Sequence, residues 1–513
     1  MIKRILCNAK ILYEQEKIDE AEEVIDMILK VSDDNYEVLN FKGYLRYIQQ
    51  DYSNAKLFLE RALILKSDYI DAIVNLHYVF RDNGELEKSL EILEQSLVKI
   101  DELEIKIKLS DIYKTFIEET LKTNYYSNNE YINENVYKYK NVHFLYESLY
   151  CYEYVESINS RFEKNTDIFV FIVGEKNSDE LELLSEKHPN VVLINLQTQI
   201  NDLIDYFMNA ESIYIHFLFE YICELYYKCR PSGKLVWVYW GGDFYNYVDF
   251  ELYDEKTKVI LQKIGFSLGS ENDYCSNNVI YRNYTIRHLD EIHMFDTTFE
   301  YSIMKKNYLT NMFAKRFVYP NPIDYVSTNR VKKTDKRTTI LIGNSGNPSN
   351  NHFDALATVK EMNQEEIRLI IPLSYGIPSI EYFKELINYI RNNLTCEVEI
   401  LKEMLSPKEY NEILEKVDMA IFNHRRQQAV GNIRKLMKLG KIIVMNPESP
   451  LFSYLNNIDI KVLSVNDTNL SSVMKELTLN KEILQRNSEI IDTYFGENII
   501  TTQINKIFDD DEY

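Results

Sequence analysis

Residues 340–352 read Ile-Leu-Ile-Gly-Asn-Ser-Gly-Asn-Pro-Ser-Asn-Asn-His, so an apolar run passes directly into a loop of small polar residues. A strand that leads through such a turn into a helix is typical of a parallel, doubly wound α/β sheet. We expect Ser349 or Asn350 to cap that helix. The glycines let backbone amides approach a ligand, and these amides with a helix amino terminus favour a diphosphate. An ordinary structural turn has the same composition and stays the alternative.

Short apolar runs alternate with helical segments on both sides of this loop. The candidate strands are 142–145, 167–174, 191–194, 212–216, 235–240, 338–342, 367–371, 397–401, 419–422 and 442–445. Two successive series of this kind predict two α/β domains that face a cleft. Ligands of such sheets bind at the carboxyl ends of the strands, so polar residues at those ends are the candidate site.

Two arginines, Arg425 and Arg426, follow the predicted strand 419–422 and precede a helix that runs to Gly440. Amide side chains stand beside them at Gln427, Gln428 and Asn432. Guanidinium groups at a strand end can bind a diphosphate bidentately. A solvated, basic helix start is the alternative, and the position at a strand end favours the binding site.

Three more strand ends carry candidate groups. Asp243 follows two glycines and is a candidate general base or ligand of sugar hydroxyls, while an Asp-assisted turn explains it as well. His216 ends the strand 212–216, where a lone histidine is more often structural. Glu448 follows the last strand and is a candidate ribose ligand or a helix cap.

The first hundred residues repeat with a period of 34. Ala9, Gly43 and His77 mark the first helix of each unit, and the small residues Ala21, Ala55 and Ser89 recur where two helices would touch. This period resembles tetratricopeptide repeats over about residues 1–100. We expect His77 to pack between helices rather than to act in catalysis.

The patterns divide the chain into four parts. These are helical repeats with a capping helix (1–122), a linker (123–140), a first Rossmann-like domain on the acceptor side (141–330) and a second, nucleotide-sugar-binding one (331–513). A net charge of −22 argues against nucleic-acid binding. The six cysteines form no CxxC pair, so we expect reduced thiols and no zinc site. No apolar run approaches the ~20 residues that span a bilayer.

Four blocks occur in the order and at the separations seen in the 4-alpha-L-fucosyltransferase family, which residues 141–500 resemble. The blocks are Trp240-Gly241-Gly242-Asp243-Phe244-Tyr245, Gly343-Asn344-Ser345-Gly346 with Ser349-Asn350 and His352, Arg426-Gln427-Gln428 with Gly431, and Asn446-Pro447-Glu448-Ser449-Pro450. The resemblance implies a GT-B glycosyltransferase with the nucleotide mainly on the second domain. The family transfers 4-acetamido-4,6-dideoxy-galactose from a dTDP donor to a polyprenyl-diphosphate disaccharide at the cytoplasmic membrane face.

These patterns and the resemblance together give the candidate site. The nucleotide-sugar positions are Gly343, Asn344, Ser345, Gly346, Asn350, His352, Arg425, Gln427, Gln428, Gly431, Asn432 and Glu448, and the catalytic positions are Asp243, His216 and Arg426. GT-B enzymes generally need no bound metal, so we expect no cofactor beyond a dTDP- or UDP-linked sugar as substrate. We also expect a cytoplasmic protein, including the inner face of the cell membrane.

Three positions depart from the family's pattern, namely Phe217 after His216, Gly242, and Ala429-Val430 before Gly431. The donor sugar and the acceptor therefore stay open, and the acceptor is a glycan, a lipid-linked glycan or a protein. Repeats of this kind usually hold peptides or partner proteins, so we expect a protein partner for them. The alternative function is a non-catalytic repeat scaffold with a degenerate glycosyltransferase domain.

Overall fold

The computed structural model describes residues 2–122, 137–160, 166–174, 177–248, 250–268, 276–308, 310, 312–321, 335–467 and 481–508. The chain forms two compact units. The first contains Met1–Ser127 and Asp273–Ile286, and the second contains Asn128–Asn272 and Arg287–Tyr513. Most of the predicted linker, together with Cys275, lies outside the described residues.

The first unit is helical, and each helix contacts the next along the chain. Its helices over residues 2–122 are α1 (Ile2–Glu14), α2 (Ile18–Val31), α3 (Tyr36–Ile48), α4 (Tyr52–Leu65), α5 (Ile70–Asp82), α6 (Leu86–Lys99) and α7 (Leu103–Lys122). The positions that repeat every 34 residues are buried where α1–α2, α3–α4 and α5–α6 pack together. His77 is buried, with Nδ1 2.8 Å from Ser89 Oγ, and burial lowers the pKa of His77 to about 4. Its predicted packing role is confirmed.

Gly43 marks the tightest contact between α3 and α4. A Cβ built there would lie 2.6 Å from Leu59 Cγ and 3.1 Å from the Ala55 carbonyl oxygen. We expect Gly43→Ala to destabilise the helical unit by about 1–3 kcal/mol, because overpacking forces the two helices apart. Urea denaturation followed by circular dichroism measures this loss. Gly174→Ala is the matched control, since a Cβ at Gly174 would meet nothing within 4 Å, and an equal loss in both variants would contradict the prediction.

The second unit contains two parallel sheets. The first has seven strands: β1 (Tyr139–Leu145), β2 (Ile168–Val173), β3 (Val191–Asn195), β4 (Ala210–His216), β5 (Lys234–Val238), β6 (Glu291–Met294) and β7 (Phe313–Arg316). The second has six: β8 (Thr338–Ile342), β9 (Ile367–Pro372), β10 (Glu397–Leu401), β11 (Met419–Phe422), β12 (Ile442–Met445) and β13 (Leu463–Ser464). Each of the ten predicted strands is found, and β6, β7 and β13 were not predicted.

Helices connect the strands of both sheets. Those of the first half are α8 (Leu149–Asn159), α9 (Asp179–Lys187), α10 (Ile200–Met208), α11 (Glu220–Cys229), α12 (Gly242–Tyr245), α13 (Glu255–Lys263), α14 (Asn277–Arg287) and α15 (Phe299–Asn307). Those of the second half are α16 (His352–Lys360), α17 (Ile380–Asn393), α18 (Pro407–Lys416), α19 (Val430–Lys438), α20 (Pro450–Asn457), α21 (Lys481–Phe495) and α22 (Glu497–Phe508). No helix among the described residues is long and apolar enough to cross a bilayer.

The strand orders place the site. They are β3-β2-β1-β4-β5-β6-β7 and β10-β9-β8-β11-β12-β13. In the second sheet, β9 and β10 follow β8 towards one edge and β12 and β13 follow β11 towards the other. The strand order therefore reverses between β8 and β11, where Met419 pairs with Ile340. Two loops leave these neighbouring strands at their carboxyl ends, and doubly wound sheets bind ligands at such a reversal point.

Helix α14 differs from the predicted domain division, because up to Ile286 it belongs to the helical unit. Lys106 Nζ in α7 donates a hydrogen bond to Asn277 Oδ1 at 3.1 Å. Eight consecutive residues, 279–286, are buried, so this stretch of the helix has no solvent-exposed face. The predicted first domain, 141–330, treated this segment as its own, since nothing in the local sequence distinguishes a helix that packs on another unit.

Candidate active site

The loop after β8 is closed by one asparagine. Asn350 Oδ1 accepts a hydrogen bond from the Asn344 N–H at 2.9 Å, and Asn350 Nδ2 donates to Ser345 Oγ at 3.1 Å. Gly343 has a φ of +67°, and a Cβ there would lie 2.4 Å from Asn350 Oδ1, so the turn requires glycine. The loop is therefore a preformed cradle rather than a loose connection.

The predicted helix cap is wrong. Asn347, and neither Ser349 nor Asn350, caps a short 3-10 turn over Pro348–Asn350 by accepting from the Ser349 N–H. Helix α16 begins two residues after that turn ends, at His352, and the left-handed Asn351 lies between them. The side chain of Asn350 is used inside the loop and is not available as a cap.

The loop after β11 is joined to this cradle by side chains. His424 Nε2 lies 2.8 Å from Asn350 Oδ1, and burial lowers the pKa of His424 well below its usual value, so the neutral ring donates this bond. Gln428 Nε2 donates to Asn344 Oδ1 at 3.0 Å, and Gln428 Oε1 accepts from Ser349 Oγ at 2.7 Å. The structure thus brings together two blocks that are about 80 residues apart in sequence.

Two predicted glycines permit close packing around the cradle. A Cβ at Gly346 would lie 2.2 Å from Ile377 Cγ1, and one at Gly431 would lie 1.7 Å from Asn321 Nδ2. Gly431 stands in the first turn of α19, whose cap residue Ala429 is left-handed and forms no side-chain cap hydrogen bond. The packing explains why these positions are glycine, and their contact with a donor stays a prediction.

The remaining donor positions are placed differently from one another. His352 is buried with Nδ1 3.0 Å from the Tyr382 hydroxyl, and burial lowers the pKa of His352 to about 4. Asn432 Nδ2 donates to the Tyr410 hydroxyl at 2.9 Å. Glu448 is exposed after β12. Of these three, the Glu448 carboxylate is the one best placed to accept from ribose hydroxyls.

Arg425 is held by a carboxylate. Its Nη1 lies 3.1 Å from Asp254 Oδ1, and Asp254 Oδ2 accepts from Asn423 Nδ2 at 2.9 Å and Asn446 Nδ2 at 3.0 Å. These bonds tie the ends of β11 and β12 to the segment before α13. They favour a structural role for Arg425, and its contact with a diphosphate stays a prediction.

Arg426 has a different environment from its neighbour. No ion pair joins it to a carboxylate among the residues that the structure describes, and burial lowers the pKa of its guanidinium. A Cβ at Gly241, which has a φ of +86°, would lie 3.6 Å from Arg426 Nη1 and 2.8 Å from Gln427 Oε1. The glycine after β5 therefore lets the first sheet's loop approach this cation closely.

Asp243 is fully buried and saturated with hydrogen bonds. Its carboxylate accepts from the Leu218 N–H at 3.0 Å, the Trp237 Nε1–H at 2.6 Å and the Trp240 N–H at 3.1 Å. Such a carboxylate fixes the loops after β4 and β5 against each other. The geometry favours a positioning role, and general-base action by Asp243 stays a prediction.

His216 belongs to a buried chain of polar side chains. Its Nδ1 lies 3.0 Å from the Tyr319 hydroxyl and its Nε2 lies 3.2 Å from His143 Nδ1. His143 Nε2 in turn lies 3.7 Å from Asp167 Oδ2. Burial lowers the pKa of His216 well below its usual value. A neutral His216 holds the end of β4 to the segment after β7, and a catalytic role stays a prediction.

Two residues near the site were missed by the sequence analysis. Glu300 in α15 is buried, and its Oε1 accepts from the hydroxyls of Tyr239 at 2.7 Å and Tyr245 at 2.9 Å. Tyr375 follows β9, is 50% exposed, and accepts from Asn344 Nδ2 at 3.0 Å. Glu300 resembles any acid in a first helical turn, so only its burial distinguishes it.

Part of the chain matches a known protein family. Residues 266–500 match the model of the 4-alpha-L-fucosyltransferase family, glycosyl transferase group 56. That range contains the cradle after β8, the arginine loop after β11 and Glu448. It starts after Asp243 and His216, so these two lie outside the matched range.

Solved structures show the fold. Sucrose-phosphate synthase from Thermosynechococcus elongatus has a TM-score of 0.53 at 8% identity, with 73% of this chain and 99% of that chain covered. HepE of Anabaena, solved in complex with UDP-glucose, has a TM-score of 0.51 at 12% identity, with 72% and 99% covered. A glycosyltransferase from Rickettsia africae has a TM-score of 0.50 at 11% identity, with 73% and 98% covered. Residues 266–500 thus match the 4-alpha-L-fucosyltransferase family model, and the chain is a glycosyltransferase of the GT-B fold.

Proposed function

We propose that the chain transfers a hexose derivative from a dTDP- or UDP-linked donor, with the donor's diphosphate seated between the loops after β8 and β11. The observation that carries the proposal is Arg426, a partly buried cation that no described carboxylate pairs with, at the sheet's reversal point. A buried charge without a partner is costly, so an anionic ligand is the natural complement of this site.

The chemistry of sugar transfer explains the arrangement. As the bond between the anomeric carbon and the diphosphate breaks, negative charge develops on the departing oxygen. Preorganised N–H groups and a guanidinium stabilise that charge best because they need no reorganisation during the reaction. The uncapped start of α19 and Arg426 supply such groups, and Glu448 holds the ribose. The N–H groups of Gly343, Asn344 and Gly346 already pair within the protein, so the loop after β8 shapes the site rather than donating these three hydrogen bonds. In this proposal no metal is required.

In this proposal the acceptor approaches from the first sheet, whose loop after β5 comes close to Arg426 at Gly241. The family resemblance supports a lipid-linked glycan at the cytoplasmic membrane face as the acceptor. The repeats support a protein. The first unit has a groove of about 650 Å³, and inside it Asn75 Nδ2 donates to Asn40 Oδ1 at 2.9 Å. Each amide keeps hydrogen-bonding groups that can pair with a peptide backbone. Either way, the protein acts in assembling a surface glycan or a glycoprotein.

Nucleotide binding is the first expected result. We expect UDP or dTDP, without added metal, to raise the melting temperature, while GDP, CDP and ADP have a smaller effect. A ligand that binds only the folded state adds about 2.7 kcal/mol of stability at a hundredfold excess over its Kd. A thermal-shift series measures this. Cooperative melting with no shift for any nucleotide would favour the repeat scaffold with a degenerate transferase domain.

A further inference from the structure

A buried carboxyl lies behind the proposed donor site and is not used in the mechanism above. Glu300 is fully buried at the start of α15, and the hydroxyls of Tyr239 and Tyr245 both donate to its Oε1. Its Oε2 has no hydrogen-bond partner among the described residues. A buried, ionised carboxylate normally accepts hydrogen bonds at both of its oxygens. Because only one oxygen of Glu300 does so, the arrangement suits an uncharged acid.

The charged groups that face Glu300 come from two loops. Asp296, after β6, accepts from the Glu300 N–H at 3.0 Å and places a second carboxyl at the same helix start. Arg426, after β11, interacts electrostatically with Glu300 and with both tyrosines. The positive group that interacts with this acid is thus the guanidinium that the proposed function assigns to the diphosphate.

We propose that Glu300 is a positioning residue of the donor site, whose uncharged carboxyl, fixed by Tyr239 and Tyr245, leaves the charge of Arg426 available to the donor's diphosphate. This inference rests on the proposed function. An ionised Glu300 would compete with the diphosphate for the same cation, because both are anions that interact with one guanidinium. The ionisation state of Glu300 therefore controls the affinity for the donor.

The direction of the pH effect follows. Burial, together with the charge of Asp296, raises the pKa of Glu300 to about 8, against the lowering effect of the two tyrosine hydrogen bonds and of Arg426. Below that pH the acid is neutral and does not oppose the diphosphate. Above it, ionisation adds a negative charge, so the Kd for the nucleotide rises with pH. By linkage, nucleotide binding raises the pKa of Glu300 and takes up a proton.

The test is calorimetric titration of UDP and dTDP into the full chain near pH 7 and near pH 9. A free nucleoside diphosphate is fully ionised in this range because its last phosphate pKa is about 6. For the wild type we expect the Kd to rise between the two pH values, by up to about tenfold, which is the limit that linkage gives when only the protein with a neutral Glu300 binds. For Glu300→Gln, which copies the neutral acid, we expect the Kd to change by less than about twofold.

Glu291→Gln, in strand β6 of the first sheet, is the matched control. Burial raises its pKa, yet hydrogen bonds with His293 and Lys234 hold the pKa of Glu291 at about 2, so it stays ionised throughout and its loss should leave the pH slope unchanged. Proton uptake gives a test that needs no variant: the binding heat of the wild type near pH 8 should depend on the buffer's ionisation enthalpy. If the Kd changed equally with pH in the wild type and in Glu300→Gln, or if the wild type took up no proton, the inference about Glu300 would be overturned and the proposed function would stand. Absence of nucleotide binding at every pH would overturn the proposed function with it.

Discussion

Arg426→Ala is expected to lower kcat/KM for the nucleotide-sugar by about a thousandfold, since removal of one preorganised group that stabilises developing charge costs about 10²–10³ in rate. The variant also loses nucleotide affinity, because the diphosphate is bound by the same guanidinium in the ground state. Its stability should stay the same or rise, because the partly buried guanidinium has no described carboxylate partner to leave behind. Steady-state kinetics and a thermal melt of the same preparation measure both effects.

Arg425→Ala is the matched control, one residue away. Its guanidinium is ion-paired with Asp254 at 3.1 Å, so truncation leaves a half-buried carboxylate without its cation. We expect a loss of stability of a few kcal/mol with a much smaller effect on turnover per folded molecule. If the two variants behaved in the opposite way, Arg425 would be the diphosphate ligand and the assignment of Arg426 would be wrong.

Asp243→Asn is expected to destabilise the second unit by about 2–4 kcal/mol, because a buried charged acceptor is lost and the amide's own N–H group faces one of three N–H donors. The carboxylate accepts from Leu218, Trp237 and Trp240, which belong to the loops after β4 and β5 and to β5 itself. Urea denaturation followed by tryptophan fluorescence measures the change. Trp237 and Trp240 are the only tryptophans in the chain, so the signal comes from this site.

The same variant separates the two roles considered for Asp243. If Asp243 were a general base without a structural role, the Asp243→Asn variant would lose turnover by several orders of magnitude and keep the unfolding midpoint of the wild type. The exposed Asp202 in α10 provides the control, since Asp202→Asn removes a carboxylate that no buried donor uses. An Asp243→Asn protein with wild-type stability and no turnover would restore the role of general base.

The strands show which parts of the fold are local. The ten predicted strands are apolar runs bounded by turn residues, and such runs form strands wherever a sheet can bury them. Strands β6 and β7 read Glu-Ile-His-Met and Phe-Ala-Lys-Arg, with too few apolar residues for a pattern. They are strands because they extend the edge of a sheet that already exists, which is a non-local cause.

The neighbouring arginines show which parts of the site are local. Their location at a strand end followed from the sequence, since the carboxyl ends of parallel strands share one edge of a sheet. The sequence did not show which of the two arginines is already ion-paired, because Asp254 lies 171 residues before Arg425. Asp243 and His216 likewise stand at the predicted strand ends. Their hydrogen-bond partners, which the sequence did not show, are what favour a positioning role for each.

The sequence alone determined the repeats, the two sheets, the cradle at Gly343 and the family resemblance, because each depends on residues close together in the chain or on the order of blocks along it. The tertiary structure alone decided that Arg425 is ion-paired with a carboxylate while Arg426 has no such partner among the described residues. It also decided that Asp243 accepts from three N–H donors and that Glu300 stands behind the site. Charge pairing and the ionisation of a buried group depend on distances through space and on the exclusion of water. Neither quantity is encoded in a residue's neighbours in sequence, so only the packed chain could reveal them.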